Sequence, residues 1–497
     1  MVSAKQSKKL RILLMPFFAT SHIIPFTDLA FHLAAAQPEV VEATIAVTPA
    51  NASVVRSSLA RRGPTSQAAA AVKVATYAFP AVQGLPPGVE NLSTAKVADS
   101  WRIDVAAFDE ALMRPGQESV IREISPDVII TDIHFFWNVD VAADLGVPCI
   151  TFYAVGTFPT LAIRHIILGR GVGEAAVDGV VTIPRFPAPE IRVPVTELPE
   201  FLRSRQQVSD PSTAGDDPIN SATSRCFGIV VNTFFDLERG YCELYVANGY
   251  VKRAYFLGPL SLPLPPQQAT TSTSSTSQQC IDWLDKKLDH SVLYLCFGSF
   301  AHVTDAQLHE LAMGLEASGK PFLWVVRSDS WAPSEEWTER VGDRGMVVTG
   351  WAPQTAILSH RAIGAFVTHC GWNSILEIVV AGVPVLTWPL VFEQFITERF
   401  VTQVLGIGAR LCPEGAGVVR STRYQENELI AAEVVARSIA TFMESGGEGD
   451  AARSRVKELS AKARAAVADG GSSHRDLSRL IDDLIEARSA GAGTTLS

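Results

Sequence analysis

Short runs of apolar, β-branched residues recur along the chain, each followed by a segment of helical length. In the first half the runs predict strands at Arg11–Phe17, Ala43–Thr48, Val72–Phe79, Asp127–Asp132, Cys149–Ala154, Gly228–Thr233 and Ala254–Leu257. In the second half they fall at Ser291–Ser299, Phe322–Arg327, Met346–Gly350, Gly364–Thr368 and Val383–Trp388. Runs that are apolar on both faces and separated by helices are the mark of parallel sheets covered on each side. The pattern therefore predicts an α/β chain of two Rossmann-like, doubly wound domains. Asn427–Met443 and Ala451–Ala487 carry helical periodicity, and no repeat of fixed period is present.

Between the halves, Gln267–Gln279 holds no charged residue and one apolar one, Ala269. Such a segment cannot bury enough surface to order itself, so Pro263–Cys280 reads as a linker. The expected division is an N-terminal domain over 1–260, a linker over 261–280 and a C-terminal domain over 281–480. A helix end and frayed tail follow over 481–497, small and polar from Ser489 onward.

Composition narrows the class. A length of 497 residues allows two to four domains. The 47% apolar and 19% charged content, against a usual charged share of about 25%, excludes wholesale disorder. With 42 Lys and Arg against 52 Asp and Glu, the formal charge of −10 speaks against a nucleic-acid coat. No apolar run approaches the roughly 18–20 residues that span a bilayer. Lys5, Lys8, Lys9 and Arg11 precede Ile12–Ala19 as in a signal peptide, but no small-residue cleavage site follows, which favours a buried first strand. Seven scattered cysteines without C-x-x-C spacing point to a reducing, cytosolic compartment. The sequons at Asn51 and Asn91 matter only in a secreted chain.

Two motifs are decoys. Gly314-x-x-x-x-Gly319-Lys320 places Pro321 where a phosphate loop needs Ser or Thr, and His309-Glu310 has Met313 where a zinc helix needs its second His. The informative stretch is Trp351–Gln394. Within it a strand stops at His369, turns through Gly371 and enters a helix, with Ser374 and Glu377 spaced as a capping box. A strand feeding a helix through a small turn aims backbone N–H groups outward at the sheet's carboxyl edge, where phosphates bind. His369, Trp372 and Asn373 add a cation-capable donor, an aromatic plate and an amide that a plain cap does not need. Trp351, after a strand, offers an indole for stacking on a planar base.

Taken together, Trp351-Ala352-Pro353-Gln354, His369-Cys370-Gly371-Trp372-Asn373-Ser374, Glu377, Ala381-Gly382-Val383-Pro384, Trp388-Pro389-Leu390 and Glu393-Gln394 closely resemble the sugar-donor box of plant family 1 UDP-dependent glycosyltransferases. The order of elements fits that family over nearly the whole chain. The resemblance implies a GT-B fold, UDP-sugar held mainly by the C-terminal domain and acceptor mainly by the N-terminal one. It implies that Trp351 stacks on uracil, the Ala352 backbone pairs with the base edge, and Gln354 and Glu377 contact ribose. Ser299, His369, Asn373 and Ser374 would bind diphosphate, and Trp372, Glu393 and Gln394 would face the sugar. Gln394 is the family's usual residue for glucose. The box departs from its common form at Glu393, Ile378-Val379-Val380 and Val391-Phe392.

On the acceptor side, His22 lies between the first strand and a helix opened by Pro25, matching the position of the family's general base. A helix N-terminus disfavours the charged imidazole, as a base requires. Asp132 matches the strand-end carboxylate that orients it. His134 is a rival by composition alone and is expected to point into the acceptor cleft. Phe17, Phe18, Phe135, Phe136, Trp137 and Phe158 are candidates to wall a pocket for a flat, apolar acceptor such as a phenolic, flavonoid or terpenoid. A Thr or Ser that family members often place after Phe152 is replaced by Tyr153-Ala154-Val155-Gly156-Thr157, with Thr157 as a shifted substitute. The expected activity is inverting transfer of glucose from UDP-glucose to a hydroxyl by a monomeric enzyme with neither cofactor nor metal. A UDP-sugar-binding protein without catalysis, and the same fold using another UDP-sugar, are the alternatives.

Overall fold

The computed structural model describes residues 9–63, 65–169, 176–177, 179–204, 217–262, 275–327, 331–414 and 417–494. In chain order the strands are β1 (Leu10–Met15), β2 (Val41–Val47), β3 (Lys73–Thr76), β4 (Val128–Asp132), β5 (Cys149–Tyr153), β6 (Ala176–Val177), β7 (Val180–Thr182), β8 (Arg192–Pro194), β9 (Gly228–Val231) and β10 (Ala254–Phe256). They continue with β11 (Val292–Cys296), β12 (Phe322–Val326), β13 (Gly345–Thr349), β14 (Ile363–Thr368), β15 (Val385–Thr387) and β16 (Gly408–Arg410). Every strand expected from the apolar runs is present. The antiparallel β6–β7–β8 ribbon and β16 were not legible, since none exceeds three residues.

The chain forms two compact units. The first takes residues 1–157, 216–268 and 464–497, and its parallel sheet runs β10-β9-β5-β4-β1-β2-β3. The second takes 158–215 and 269–463, with a parallel sheet in the order β13-β12-β11-β14-β15-β16. These borders differ from cuts at 260 and 480. Leu480, Ile481 and Leu484 of the helix Ser472–Thr494 lie in the first unit's core with Tyr255, Leu257 and Leu260. Tyr255 Oη donates to Asp483 at 2.6 Å and Ser473 Oγ to the Gly258 carbonyl at 2.6 Å. Glu197, from the 158–215 stretch, pairs with Arg399 at 2.5 Å and Arg410 at 3.3 Å inside the second unit.

Three local expectations change. The periodic segment 451–487 is two helices, Glu448–Val467 and Ser472–Thr494, broken where Gly470 takes φ +74. The second runs on past Ser489, where fraying was expected, and 495–497 lie outside the described residues. Of the linker, 263–274 lie outside the described residues, while Ser275–Leu284 is helical and buries Cys280.

Both sheets reverse strand order at one place, between β1 and β4 in the first unit and between β11 and β14 in the second. Crossovers leave such a switch point in opposite directions, opening a crevice at the strands' carboxyl ends. Met15 pairs with Thr131 in one sheet and Cys296 with Thr368 in the other. The segments after Met15 and Thr131, and after Cys296 and Thr368, therefore emerge side by side.

Candidate active site

In the first unit, β1 gives way to Phe17 and Phe18, and the helix Thr20–Ala36 begins at once. It starts five residues before Pro25, so His22 sits inside its first turn instead of preceding it. No side chain of the cap residue Ala19 closes this end. The Thr20 amide instead donates to Ser93 Oγ at 3.1 Å, from a loop that the Leu92 amide ties to the Phe18 carbonyl.

Asp132 ends β4 fully buried. Its Oδ2 lies 2.8 Å from His22 Nδ1 and accepts the Phe17 amide at 3.3 Å. Its Oδ1 lies 2.6 Å from His134 Nδ1 and accepts the His134 amide at 3.2 Å. Burial alone would raise the carboxyl pKa, but His22 and His134 hold it well below the usual carboxylate range. The ionised carboxylate in turn requires a proton on each facing Nδ1, leaving Nε2 as the basic atom. The three residues also offer ligand atoms within 4.8 Å of one another, a grouping hidden from sequence spacing because His22 and Asp132 are 110 positions apart. In this arrangement those atoms are engaged in carboxylate–imidazole hydrogen bonds.

Below this triad a buried network fixes the loop after β4. Trp137 Nε1 and Asn138 Nδ2 donate to Gln117 Oε1 at 2.8 and 3.2 Å, and Asn138 also reaches Thr131 Oγ1 at 3.0 Å.

The aromatic candidates separate. Phe17 stacks on His134 with centroids 4.2 Å apart and meets His22 edge-on at 5.2 Å. Phe136 is half-buried. Phe17 is buried as well, and Phe18, Phe135 and Trp137 are core instead of pocket wall, while Phe158 belongs to the second unit, fully buried against Phe400 and Phe186. Burial of so large an apolar surface decides each case. Thr157 is likewise buried, its amide donating to Glu238 at 2.9 Å. Sequence reading missed Phe108, which is 44% exposed yet meets His134 edge-on at 5.2 Å. The apolar spacing Trp101, Val105, Phe108, Leu112, all exposed, was the available signal.

In the second unit, the helix Trp372–Ala381 opens at Gly371 without a side-chain cap. Ser374 and Glu377 do not form the expected capping box. They accept from Gln354 Nε2 at 3.1 and 2.6 Å, and Gln354 Oε1 accepts from Tyr294 Oη at 3.3 Å. The box therefore fastens its Trp351–Gln354 end to its helix. Trp351 is 66% exposed, whereas Trp372 is buried and faces Phe400 at 6.1 Å.

His369 lies between two glycines. A Cβ on Gly298 would stand 2.6 Å from its Cε1 and Nε2, and one on Gly371 2.4 Å from its Nε2. Its Nδ1 is buried without a hydrogen-bond partner, and burial pushes its pKa down to about 4. Burial therefore favours the neutral imidazole. Half-buried Ser299 and Asn373 flank it in chain position, after Gly298 and after Gly371. At the far end of the box, Gln394 Oε1 accepts the Leu390 and Val391 amides, each at 3.0 Å. This orients the amide, and among the described residues Nε2 has no partner. Half-buried Glu393 follows Phe392, held at φ +52.

A family model described as UDP-glucoronosyl and UDP-glucosyl transferase matches residues 269–409. The chain is 35% identical to scopoletin glucosyltransferase of Nicotiana tabacum, over 97% of this chain and 99% of that one. It belongs to the plant UDP-glycosyltransferases.

The glycosyltransferase is also 34% identical to UDP-glucose flavonoid 3-O-glucosyltransferase 7 of Fragaria ananassa, over 97% and 98% of the two chains. Its fold is GT-B. It is similar to the crystal structure of Glycyrrhiza uralensis UGT73P12 complexed with glycyrrhetinic acid 3-O-monoglucuronide, at TM-score 0.83, 31% identity and 98% coverage of each chain. It is similar too to Medicago truncatula UGT71G1 complexed with UDP-glucose, at TM-score 0.76, 26% identity, 96% of this chain and 98% of that one. Among the described residues of the glycosyltransferase, no helix is long and apolar enough to cross a membrane.

The glycosyltransferase carries a buried ionic cluster that sequence reading also missed. Burial would raise the Glu398 pKa, but Arg420, Arg410 and Arg399 hold it below its ordinary value. Arg420 also donates to the Pro389 carbonyl at 3.4 Å and Glu398 accepts from Thr387 at 2.7 Å, so the cluster braces the segment that leads to Gln394.

Proposed function

We propose that this enzyme transfers glucose from UDP-glucose to a hydroxyl of a small lipophilic phenolic, flavonoid or terpenoid, with inversion, giving a β-glucoside. The observation that carries the reading is the His22–Asp132 couple at the first unit's switch point, in a chain whose second unit bears the donor box. His22 Nε2 takes the acceptor's hydroxyl proton as the oxygen attacks the anomeric carbon, and the bond to UDP breaks with its electron pair leaving on the diphosphate. Asp132 stabilises the imidazolium formed. Trp351 stacks on uracil, Ala352 pairs with its edge, and Gln354 and Glu377 serve the ribose. Ser299, His369, Asn373, Ser374 and the N-terminus of the helix Trp372–Ala381 receive the diphosphate. Glu393, Gln394 and Trp372 serve the sugar. The names of the tobacco and strawberry relatives support glucose as the sugar and aromatic acceptors as the class. The reaction is assigned to a monomer in the cytosol and needs no metal.

The test is mass spectrometry of UDP-glucose incubations with a library of phenolic and terpenoid acceptors, with NMR of the anomeric proton for configuration. His22→Ala is expected to lower turnover by about 10²–10⁴, and Asp132→Asn to lower it in the same direction. Full activity in His22→Ala would overturn the base assignment. UDP binding without transfer to any acceptor would favour the non-catalytic alternative.

A further inference from the structure

Asp132 holds two imidazoles, one on each carboxylate oxygen, at 2.8 Å for His22 and 2.6 Å for His134. Each ring is held through Nδ1, so each presents Nε2 as its lone-pair nitrogen, and among the described residues neither Nε2 has a hydrogen-bond partner. A histidine needed only to anchor the carboxylate would bury its far edge. Here the His22 and His134 side chains are 18% and 24% exposed. Their centroids are 5.2 Å apart and their planes cross at 70°, so the two rings stand in different orientations beside one carboxylate, each on its own oxygen. Phe17, itself buried, packs against both rings, and Phe108, exposed, meets His134 edge-on and offers an apolar surface on which an aromatic acceptor would rest. Among the charged groups around the pair is Asp104, whose pKa is raised by burial and opposed by the His134 imidazole.

We propose that His134 is a second general base, serving an acceptor hydroxyl placed differently from the one His22 serves, so that the pair sets which hydroxyl of a polyhydroxylated acceptor receives the sugar. The inference rests on the transferase reading above. In the His134 step, Nε2 takes the hydroxyl proton, the oxygen bonds to the anomeric carbon, and the sugar–phosphate bond breaks with its electrons leaving on UDP. Asp132 carries one charge and stabilises one imidazolium at a time. Each turnover therefore glucosylates one position, and the products are regioisomeric monoglucosides.

The test compares the parent enzyme with His22→Ala, His134→Asn and the double variant, using UDP-glucose and acceptors bearing two free hydroxyls, such as catechols and flavonols. Regioisomers are resolved by liquid chromatography and identified by NMR. His134→Asn keeps an N–H donor for Asp132 Oδ1 but has no base, so a purely anchoring role would be rescued by it. It is expected to lower one isomer at least about tenfold and leave the other within about threefold. His22→Ala should do the reverse, and the double variant should lose both. A fall of all isomers by one factor in His134→Asn, no change in any, or a single isomer from the parent with every acceptor would overturn the proposal. His134→Gln, which also keeps an N–H donor and has no base, provides the same comparison should the Asn variant unfold. A parent that transfers sugar to nothing refutes the transferase reading before any variant is made, and this inference with it.

Discussion

Replacing Gly298 by Ala tests the wedge that holds His369. Two costs can be separated. Gly298 takes φ +75, where an L residue loses about 1–2 kcal/mol, and its new Cβ would meet the imidazole at 2.6 Å, well inside the 3.5–4.0 Å of ordinary contact. Overpacking of this kind costs about 1–3 kcal/mol. Gly382, at the other end of the helix that His369 precedes, supplies the control. Its φ is +72, but a Cβ there would find nothing nearer than Lys457 Cγ at 3.5 Å. Gly382→Ala is therefore expected to lower stability by about 1–2 kcal/mol and leave UDP affinity unchanged. Gly298→Ala pays the same backbone term plus the crowding. If the ring stays, stability falls by about 2–5 kcal/mol in total. If the ring swings away, the second term appears as a 5- to 150-fold weaker UDP affinity, the equivalent of about 1–3 kcal/mol. Urea unfolding measures the first quantity and titration calorimetry with UDP the second. Equal stability losses in the two variants, with UDP affinity unchanged in both, would refute the wedge.

Acid should destabilise the second unit through His369. With its pKa pushed down to about 4, the unfolded chain binds a proton that the folded unit refuses between about pH 6.5 and 4, so stability falls as pH drops through that window, by up to about 3 kcal/mol. His32, also lowered to about 4 by burial, adds a like slope in the first unit. Urea midpoints at about pH 7.5 and 5 should show His369→Gln removing part of the slope and His32→Gln another part. At Gln394, Ala leaves the Leu390 and Val391 amides without their acceptor, a loss of about 1–3 kcal/mol for the buried Leu390 amide and less for the half-buried Val391 amide. Gln394→Glu keeps the acceptor and removes the Nε2 donor, so it should hold stability to within about 1 kcal/mol while turnover with UDP-glucose falls. A Glu variant less stable than the Ala variant would contradict this geometry.

The strands were legible because each is apolar on both faces, a local property that survives any arrangement of neighbours. The β6–β8 ribbon and β16 have no such signature, since two or three residues become a strand only when a distant partner pairs with them. The donor residues were legible as a group because they lie close together in the sequence, yet their bonding was not. The Ser374–Glu377 spacing fits a cap equally well, and only the approach of Gln354 from another turn of chain decides it. Likewise Asp132 could be placed at a strand end from the pattern alone. That its second oxygen faces His134 depends on the tight turn in which the His134 amide folds back onto Oδ1. The aromatic residues divide between core and rim by tertiary packing, which no single-chain pattern encodes, so Phe158 was included and Phe108 left out.

The helix Ser472–Thr494 has a consequence for how the chain is made. Leu480, Ile481 and Leu484 complete the core of the sheet built from β1 to β5, β9 and β10, and they leave the ribosome only after the entire second unit. During translation, the apolar ground around Tyr255, Leu257 and Leu260 lacks these partners until some 200 further residues have been added, a period in which a holdase chaperone would find a binding surface. A fragment ending before residue 464 would keep that surface permanently. The sheet that is begun first is thus the last to be finished, and cutting the chain between its two units would not yield two foldable halves.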